Sequence, residues 1–276
     1  NAKNEQFHQG EFVLRAGALA MLSKTQLLSA TESVEAWVAA QLALTPQHVT
    51  SRRIMTFDCT YSPSGEFLVS GDHRDCAVRV WSTTNWRQLM VLNGHKPTDE
   101  PQWSRIRAVE FVPGNESQLI SAGSDGSVRT WDLTTGSQRS IFQPEFDESV
   151  IAALGIGIAP TLDENGVRYV VVARSDGTLI WLDLATLTPV GPRQLVGHDS
   201  HVNVVRIRPD GKQMATAGGD GNVKLWTLEG NPVATMARPE QVPEGKPVEI
   251  YDLSYSPDGK ILASCGEDGR IHLWDP

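Results

Sequence analysis

Apolar and polar residues alternate in short runs that are separated by turn-forming residues over most of this chain. The clearest run, AGSDGSVRTWDL at 122–133, returns as AGGDGNVKLWTL at 217–228 and as CGEDGRIHLWDP at 265–276. Each copy has an Asp-Gly pair and a Trp six residues after the Asp. Alternation with a period of two is typical of strands with one buried face, and Asp-Gly is a common hairpin turn. The pattern predicts strands joined by tight turns, and no helix.

The three runs belong to a longer unit. Each is preceded by two further apolar runs around a Pro-containing turn, as in VNVVRIRPDGKQMAT, and in the first two copies a fourth run follows the Trp, as in PVATMA. The same frame, laid over the whole chain, finds six such units. Their third-strand anchors, about 44 to 51 residues apart, are Trp37, Trp81, Trp131, Leu182, Trp226 and Trp274. In the fourth unit Trp181 stands one place early, so we expect it to fill the gap between neighbouring units from the other side of its strand.

A period of about 40 to 50 residues with four short strands per unit is typical of a β-propeller. The sequence resembles the WD-repeat family through Trp-Asp at 131–132 and 274–275 and Gly-His at 94–95 and 197–198. The resemblance covers nearly the whole chain. We predict an all-β WD-repeat β-propeller of six four-stranded blades, with residues 1–276 as a single domain. Seven blades, the family's commonest number, is the alternative if the chain is a piece of a longer protein, as its first and last residues indicate.

The resemblance assigns a structural role to polar residues at fixed offsets. In the family, a Ser or Thr, an Asp four residues later, a Trp ten residues later and the His of the Gly-His pair form a buried hydrogen-bond chain. The matching residues are His95, Ser121, Asp125 and Trp131, then His198, Thr216, Asp220 and Trp226, then Ser264, Asp268 and Trp274. Donors and acceptors balance, because an indole only donates, a carboxylate only accepts, and a hydroxyl and a neutral imidazole do both. The last set lacks a preceding His, so we expect its network to be incomplete or rebuilt.

A Ser, a His and an Asp together also permit a catalytic interpretation. A hydrolase triad needs one exposed nucleophile and an oxyanion hole, whereas this set occurs in two units and ends at a Trp that would seal it from solvent. The chain also has no GxSxG motif. We therefore predict a structural network, no catalytic residue and no enzymatic activity.

No pattern in the sequence predicts a metal or a cofactor. His198 and His201 are three residues apart, but His198 already belongs to the network. LDENGV at 162–167 lacks the closing Glu of a calcium loop and is interpreted as a hairpin turn. The three cysteines, Cys59, Cys76 and Cys265, are far apart and lack CxxC spacing, so they are interpreted as small buried residues. An odd number of unpaired cysteines favours a reducing compartment, so the expected location is cytoplasmic or otherwise intracellular.

Composition narrows the choice of partners. The 276 residues are 40% hydrophobic and include 24 Lys and Arg against 33 Asp and Glu, for a formal charge of −9. Because no basic block stands out, nucleic acid is not an expected partner. Because no apolar run approaches about 20 residues, direct membrane insertion is not expected either. The resemblance to the WD-repeat family implies a protein or peptide partner, within a multi-subunit complex.

The resemblance places the interaction surface on the propeller face that carries the loops between blades. Counting back from each first-turn Pro, and adding one turn residue and one loop Trp, gives Met55, Phe57, Arg74, Trp103, Arg105, Arg107, His201, Asn203, Glu249 and Tyr251. A mixture of aromatic residues, Arg and acids is typical of protein-contacting surfaces. Trp103, in the insert KPTDEPQWSR, either anchors a partner or folds back over the rim.

The predicted function is a non-enzymatic protein-interaction scaffold. One alternative is the sensing domain of a larger signalling protein, whose other activities would lie outside these residues. The other is a propeller hydrolase or lactonase with a central metal. For that role the first strands offer mainly Asp58, Glu110 and Asp252, which are few ligands for such a site.

Overall fold

The computed structural model of the chain describes residues 56–73, 75–96, 105–144, 152–163, 166–237 and 247–276, and only the backbone of residues 56–57 and 191–194. Within these residues the chain forms 19 β-strands in five antiparallel sheets. In each sheet the strands lie side by side in chain order. Short two-strand hairpins explain this order, since each apolar run is followed by a turn that returns the chain beside it. The described residues contain no helix that is long and apolar enough to cross a membrane.

Each sheet is one blade, and the strands are numbered in chain order. The first blade has β1 (Thr56–Tyr61), β2 (Phe67–Asp72), β3 (Val78–Ser82) and β4 (Gln88–Leu92). The second has β5 (Ile106–Val112), β6 (Asn115–Gly123), β7 (Val128–Asp132) and β8 (Ser137–Phe142). The third has β9 (Ala153–Ile158), β10 (Tyr169–Arg174), β11 (Thr178–Asp183) and β12 (Pro189–Val196). The fourth has β13 (Val202–Ile207), β14 (Gln213–Gly218), β15 (Asn222–Thr227) and β16 (Pro232–Ala237), and the fifth has β17 (Ile250–Tyr255), β18 (Leu262–Gly266) and β19 (Ile271–Trp274).

Successive blades pack through their first strands, with β1 against β5, β5 against β9, β9 against β13 and β13 against β17. The core is divided into four apolar clusters, one between each pair of neighbouring blades. Trp131 of the second blade, for example, packs with Val78 and Cys76 of the first. Both faces of a middle blade are therefore buried, which is why β9 and β14 are buried along their whole length.

Trp181 packs between two neighbouring blades, as its early position in the third strand predicted. It is buried in the cluster between the third and fourth blades, beside Met214 and Trp226, and its indole N–H donates to the carbonyl of Leu228 at 2.9 Å. The anchor Leu182 belongs to the cluster on the other side, between the second and third blades. Adjacent residues of a strand point to opposite faces, so the two side chains fill two different gaps.

The prediction of an all-β WD-repeat propeller is confirmed, but the predicted number of blades is wrong. The described residues form five blades rather than six or seven, and the fifth has three strands rather than four. The additional unit counted from the sequence ends at Trp37, which lies outside the described residues. That unit has Thr31 where the other five have the Asp of the turn between the second and third strands. The sequence of that unit therefore lacks the Asp that favours this turn.

The Asp-Gly turn needs a residue with a left-handed backbone after the Asp. Four blades supply glycine there, with φ between 68° and 83°; the residues are Gly126, Gly177, Gly221 and Gly269. In the first blade Cys76 takes this conformation with φ of 52° and is buried. The prediction that every cysteine is buried is wrong, since Cys59 is exposed and Cys265 is intermediate. Cys59 lies on the face of β1 that points away from the second blade, where no described blade covers it.

Candidate functional site

The polar residues predicted at fixed offsets come together between the second and third strands of the second blade. The indole N–H of Trp131 donates to Ser121 Oγ at 2.8 Å, and Ser121 Oγ lies 2.8 Å from His95 Nε2. His95 Nδ1 lies 3.0 Å from Asp125 Oδ1. Asp125 also accepts the backbone N–H groups of Lys96 and Ser127 at 2.9 and 3.1 Å. The chain of bonds thus ties the segment before β5 to the turn after β6.

The fourth blade repeats this geometry. Trp226 Nε1 donates to Thr216 Oγ1 at 2.8 Å, Thr216 Oγ1 lies 2.7 Å from His198 Nε2, and His198 Nδ1 lies 2.9 Å from both oxygens of Asp220. Burial raises the pKa of Asp220, but the hydrogen bond and charge of His198 outweigh it and lower the pKa to about 2. Burial also raises the pKa of Asp125, but the hydrogen bond and charge of His95 outweigh it, so this pKa is lowered too. Both carboxylates are therefore charged acceptors at neutral pH.

The fifth blade has a rebuilt network. Trp274 Nε1 donates to Ser264 Oγ at 2.9 Å, as in the other blades, but the imidazole that reaches Asp268 is His272, at 2.7 Å. His272 comes from β19 itself and not from a segment ahead of the blade, and its ring stacks on Trp274 with centroids 6.0 Å apart. The third strand thus replaces the missing Gly-His pair.

The position two residues before the anchor Trp explains this substitution. Its side chain faces the turn carboxylates, and it holds a basic residue in four blades: Arg79, Arg129, Lys224 and His272. Arg79 pairs with Asp72 and Asp75, and Lys224 Nζ lies 3.8 Å from Asp220 Oδ2. Sequence reasoning missed this position, although the basic residues recur at one offset and so provided a signal.

The first and third blades depart from the set. In the first, one extra residue in the turn places Trp81 eleven residues after Ser70, and the indole still donates to Ser70 Oγ at 3.1 Å. In the third, Val172 and Leu182 stand at the hydroxyl and Trp offsets, and both are completely buried. Apolar side chains pack there in place of the hydrogen bonds of the other blades.

The burial of the network decides against nucleophilic chemistry. Ser121 and Thr216 have no exposed surface, and His95 and His198 are buried. A nucleophile must reach its substrate, and these hydroxyls already lie between an indole and an imidazole. The arrangement can hold a turn and a strand together, but it cannot attack a substrate.

The predicted partner-binding residues cluster where the first strand of each blade begins. In four blades the carbonyl of the entering residue accepts an N–H from the turn after the second strand; the pairs are Arg105 with Ser124 (2.9 Å), Ala152 with Ser175 (3.0 Å), His201 with Gly219 (2.9 Å) and Glu249 with Glu267 (2.9 Å). This defines the loop face, which comprises Arg105, Arg107, His201, Asn203, Glu249 and Tyr251.

A β-bulge lies at the same point of every first strand. The register between the first two strands shifts across one residue, which is left without a cross-strand partner. These bulged residues are Phe57, Arg107, Leu154, Asn203 and Tyr251. Bulges redirect side chains and occur often beside functional sites. Four of the five were predicted on this face from the spacing to the turn Pro.

Glu249 joins the fourth and fifth blades on the loop face. Its Oε1 lies 2.8 Å from His201 Nε2 and accepts the amide N–H of Asn203 at 2.7 Å. The hydrogen bond from His201 lowers the pKa of Glu249, and burial only partly opposes it. The side chains of His201 and Glu249 keep 35% and 32% of their surface exposed, so a partner can reach both.

Several predicted residues cannot be placed on this face. Met55, Arg74 and Trp103 lie outside the described residues, and of Phe57 only the backbone is described. The candidates for a central metal do not meet as ligands, since Val109 N–H donates to Asp58 and Arg206 pairs with Asp252 at 2.7 Å. Among the residues that the structure describes, no group of three or more His, Cys, Asp or Glu side chains could hold a metal ion.

A family profile matches most of the repeats described above. The profile described as "WD domain, G-beta repeat" (WD40) matches residues 41–82, 86–132, 191–227 and 238–275, which is more than half of the chain. The matches omit most of the third blade, where Val172 and Leu182 replace the hydroxyl and the Trp.

Similar curated proteins are β subunits of guanine nucleotide-binding proteins from plants. The one from Solanum tuberosum is 25% identical over 177 residues, covering 62% of this chain and 44% of the relative. The one from Arabidopsis thaliana is 25% identical over 205 residues, covering 72% and 51%, and the one from Zea mays is 25% identical over 177 residues, covering 62% and 43%. The chain therefore spans about half the length of these relatives.

Proposed function

Since this chain belongs to the WD40 repeat family, we propose that it is a non-enzymatic protein-interaction scaffold that binds a protein or peptide partner on the loop face. The observation that carries the proposal is the contrast between two sets of polar residues. In the second and fourth blades the hydroxyl and the His are buried and hydrogen-bonded to each other, whereas Arg107, Asn203 and Tyr251 stand at bulges on one partly exposed face. Polar residues that the fold does not bury are available to a partner.

The relatives support a role within a multi-subunit assembly, because their printed names describe them as subunits. The interaction surface is built on strands, which hold contact residues in place at little entropic cost on binding. No disulfide joins the three cysteines, all of which lie in the described residues, and this supports the proposed intracellular location. The formal charge of −9 supports the proposal that nucleic acid is not the partner.

The competing enzymatic function, a hydrolase or lactonase with a central metal, has little support. It would require several carboxylate or imidazole ligands converging from different blades. In the described part of the chain, Asp252 is instead paired with Arg206 of the neighbouring blade, and Asp58 accepts a backbone N–H from the next blade. Measuring the metal content of the purified protein separates the two functions.

A capture experiment tests the proposal directly. The full chain, immobilised, is used to capture partners from its native source, and the captured proteins are identified by mass spectrometry and purified for binding measurements. A variant with Trp103→Ala and Arg107→Ala should lose the partner while its denaturation midpoint stays close to that of the wild type, since hot spots favour Trp and Arg. The matched control is Arg208→Ala with Lys260→Ala, in the hairpins on the opposite face, and it should bind normally. Loss of binding in the control alone would place the site on the other face.

A further inference from the structure

A further set of a serine, a histidine and a carboxylate lies on the loop face, apart from the buried networks. Ser200 Oγ lies 3.2 Å from His201 Nδ1, and His201 Nε2 lies 2.8 Å from Glu249 Oε1. Ser200 is only partly buried, and the side chains of His201 and Glu249 are partly exposed. This set therefore meets the condition that the buried sets fail, because a small molecule can reach its hydroxyl group.

Glu249 determines which nitrogen of His201 carries the proton. The hydrogen bond from His201 lowers the pKa of Glu249, so this group is a carboxylate at neutral pH. A carboxylate only accepts hydrogen bonds, so the proton of the neutral imidazole lies on Nε2. Nδ1 is then left with its lone pair facing the hydroxyl group of Ser200, as a general base requires.

The segment that carries Ser200 and His201 is anchored on both sides. His198 is buried and bonded to Asp220, and the carbonyl of His201 accepts the N–H of Gly219 at 2.9 Å. Anchors this close together hold the backbone of Ser200 in place beside the imidazole. A base and a hydroxyl group that are already side by side lose little entropy when they react.

Gly219 makes room for this pair. A Cβ atom there would lie 2.6 Å from Ser200 Oγ and 2.4 Å from His201 Cε1, so a side chain would displace both groups. The backbone of Gly219 is not left-handed, so the space and not the conformation explains the glycine. In the three other blades where the same backbone bond is described, the turn residue has a side chain: Ser124, Ser175 and Glu267.

We infer that Ser200 is a nucleophilic serine that accepts an acyl group from an activated ester, with His201 Nδ1 as the base and Glu249 as the residue that positions the imidazole. Ser200 Oγ forms a bond to the carbonyl carbon of the ester, the bond from that carbon to the leaving oxygen breaks, and the hydroxyl proton passes through His201 to the leaving group. The product is an acyl-serine on the loop face. Such a modification site goes beyond the proposed scaffold function, is compatible with it, and does not depend on which partner the loop face binds.

Labelling with p-nitrophenyl acetate tests this site. The full chain is treated with a small excess of the ester, and acetylation of each serine is followed over time by peptide mass spectrometry. Ser200 should be acetylated at least about tenfold faster than Ser175, a partly exposed serine of the loop face that accepts the N–H of Ala152. Ser121, which has no exposed surface, should stay unmodified although it also contacts an imidazole.

Histidine variants test the base. His201→Gln should slow the acetylation of Ser200 at least about tenfold, because the hydroxyl group loses its proton acceptor. The matched control is His272→Gln, since His272 also pairs with a carboxylate but lies in β19. It should leave the acetylation of Ser200 unchanged.

Glu249→Gln tests the positioning carboxylate through the pH profile of labelling. Glutamine can still accept the N–H of His201, but it lacks the negative charge that stabilises the protonated imidazole. The acetylation rate of Ser200 should fall in acid as the imidazole takes up a proton, and in the variant this fall should move to lower pH. Arg107, whose charge also acts on Glu249, is the same in both proteins, so the shift reports the loss of the carboxylate.

Acetylation of Ser200 no faster than that of Ser175 would overturn the assignment, and this comparison needs only the wild-type chain. A rate that survives His201→Gln in a folded variant would equally show that Ser200 is an ordinary surface serine. An unchanged pH profile in Glu249→Gln would remove Glu249 from the site.

Discussion

His272 Nε2 lies 2.7 Å from Asp268 Oδ2, so the third strand of the fifth blade supplies its own imidazole to the turn that precedes it. In the second and fourth blades the imidazole comes from a different segment, 26 and 18 residues before the hydroxyl that it contacts. The carboxylate of the turn therefore needs a positively polarised donor, and the fold accepts that donor from either direction.

Replacing His272 with Ala should lower the free energy of unfolding by about 1 kcal/mol, because Asp268 loses a hydrogen-bond donor and Trp274 loses a stacked ring. His272→Lys is the matched variant, since Lys224 stands at this position in the fourth blade, and it should lose less. Urea denaturation midpoints measure both. A midpoint for His272→Ala equal to that of the wild type would mean that this contact contributes nothing to the fifth blade.

Asp220→Ala should destabilise the chain by about 1 to 3 kcal/mol, because the buried imidazole of His198 and the N–H of Asn222 lose their acceptor. Trp226→Phe should have a similar effect, since it removes the donor to Thr216. Asp210→Ala is the control: that carboxylate is exposed and bonds to Arg208 at the surface. If Asp220→Ala and Asp210→Ala unfold at the same denaturant concentration, the network does not stabilise the blade.

The carboxylate of Asp220 should make the stability of the chain depend on pH. The pKa of Asp220 is about 2 in the folded chain, below its usual value near 4, so its stabilising effect is complete above pH 4 and is lost as the pH falls toward 2. Asp220→Asn cannot titrate and should show a weaker loss of stability over this interval than the wild type. Thermal unfolding from pH 5 to pH 2 checks the difference. Parallel curves for the two proteins would contradict the assignment of the low pKa.

The turn between the third and fourth strands offers a test in which one substitution has opposite effects in two blades. Trp86 and Leu187 both have φ of 56°, and each donates its N–H four residues back along the chain, to Ser82 and Asp183. Gly136 occupies the same position in the second blade, with φ of 68°. Leu187 is 1% exposed, so the burial of its side chain compensates for the strain of its left-handed backbone. Trp86 is 40% exposed and gains less from burial.

Trp86→Gly should therefore stabilise the chain by up to about 1 kcal/mol, because glycine adopts this backbone without strain. Leu187→Gly should destabilise it by about 2 to 5 kcal/mol, because it leaves a cavity in the cluster between the second and third blades. Calorimetric midpoints of the two variants give the signs. Destabilisation by Trp86→Gly would show that the exposed indole contributes more packing than its surroundings indicate.

Local patterns along the chain were enough to predict the repeating strand unit and the hydrogen-bonded residues of the second and fourth blades. The Asp-Gly turn, the alternating strand and the Trp at a fixed offset lie within about a dozen residues, and these short-range patterns determine a hairpin whatever surrounds it. The same offsets brought Ser121 to Trp131 and Thr216 to Trp226, and the early position of Trp181 predicted that it packs between neighbouring blades. The count of five blades in the described residues was not predicted, because the unit that ends at Trp37, which lies outside them, matches the spacing without the Asp of the turn.

Contacts between blades were decided only by the tertiary structure. Glu249 meets His201 and Asn203 across more than 45 residues of sequence, and Arg107 is affected by Glu249 three blades further on. No local pattern encodes such pairs, since they depend on which strands lie side by side around the fold. His272 was overlooked for a different reason: basic residues recur two positions before the anchor Trp, but that recurrence was not used. The sequence alone determined the repeating unit and its buried bonds, while packing of one blade against the next decided which polar residues remain partly exposed.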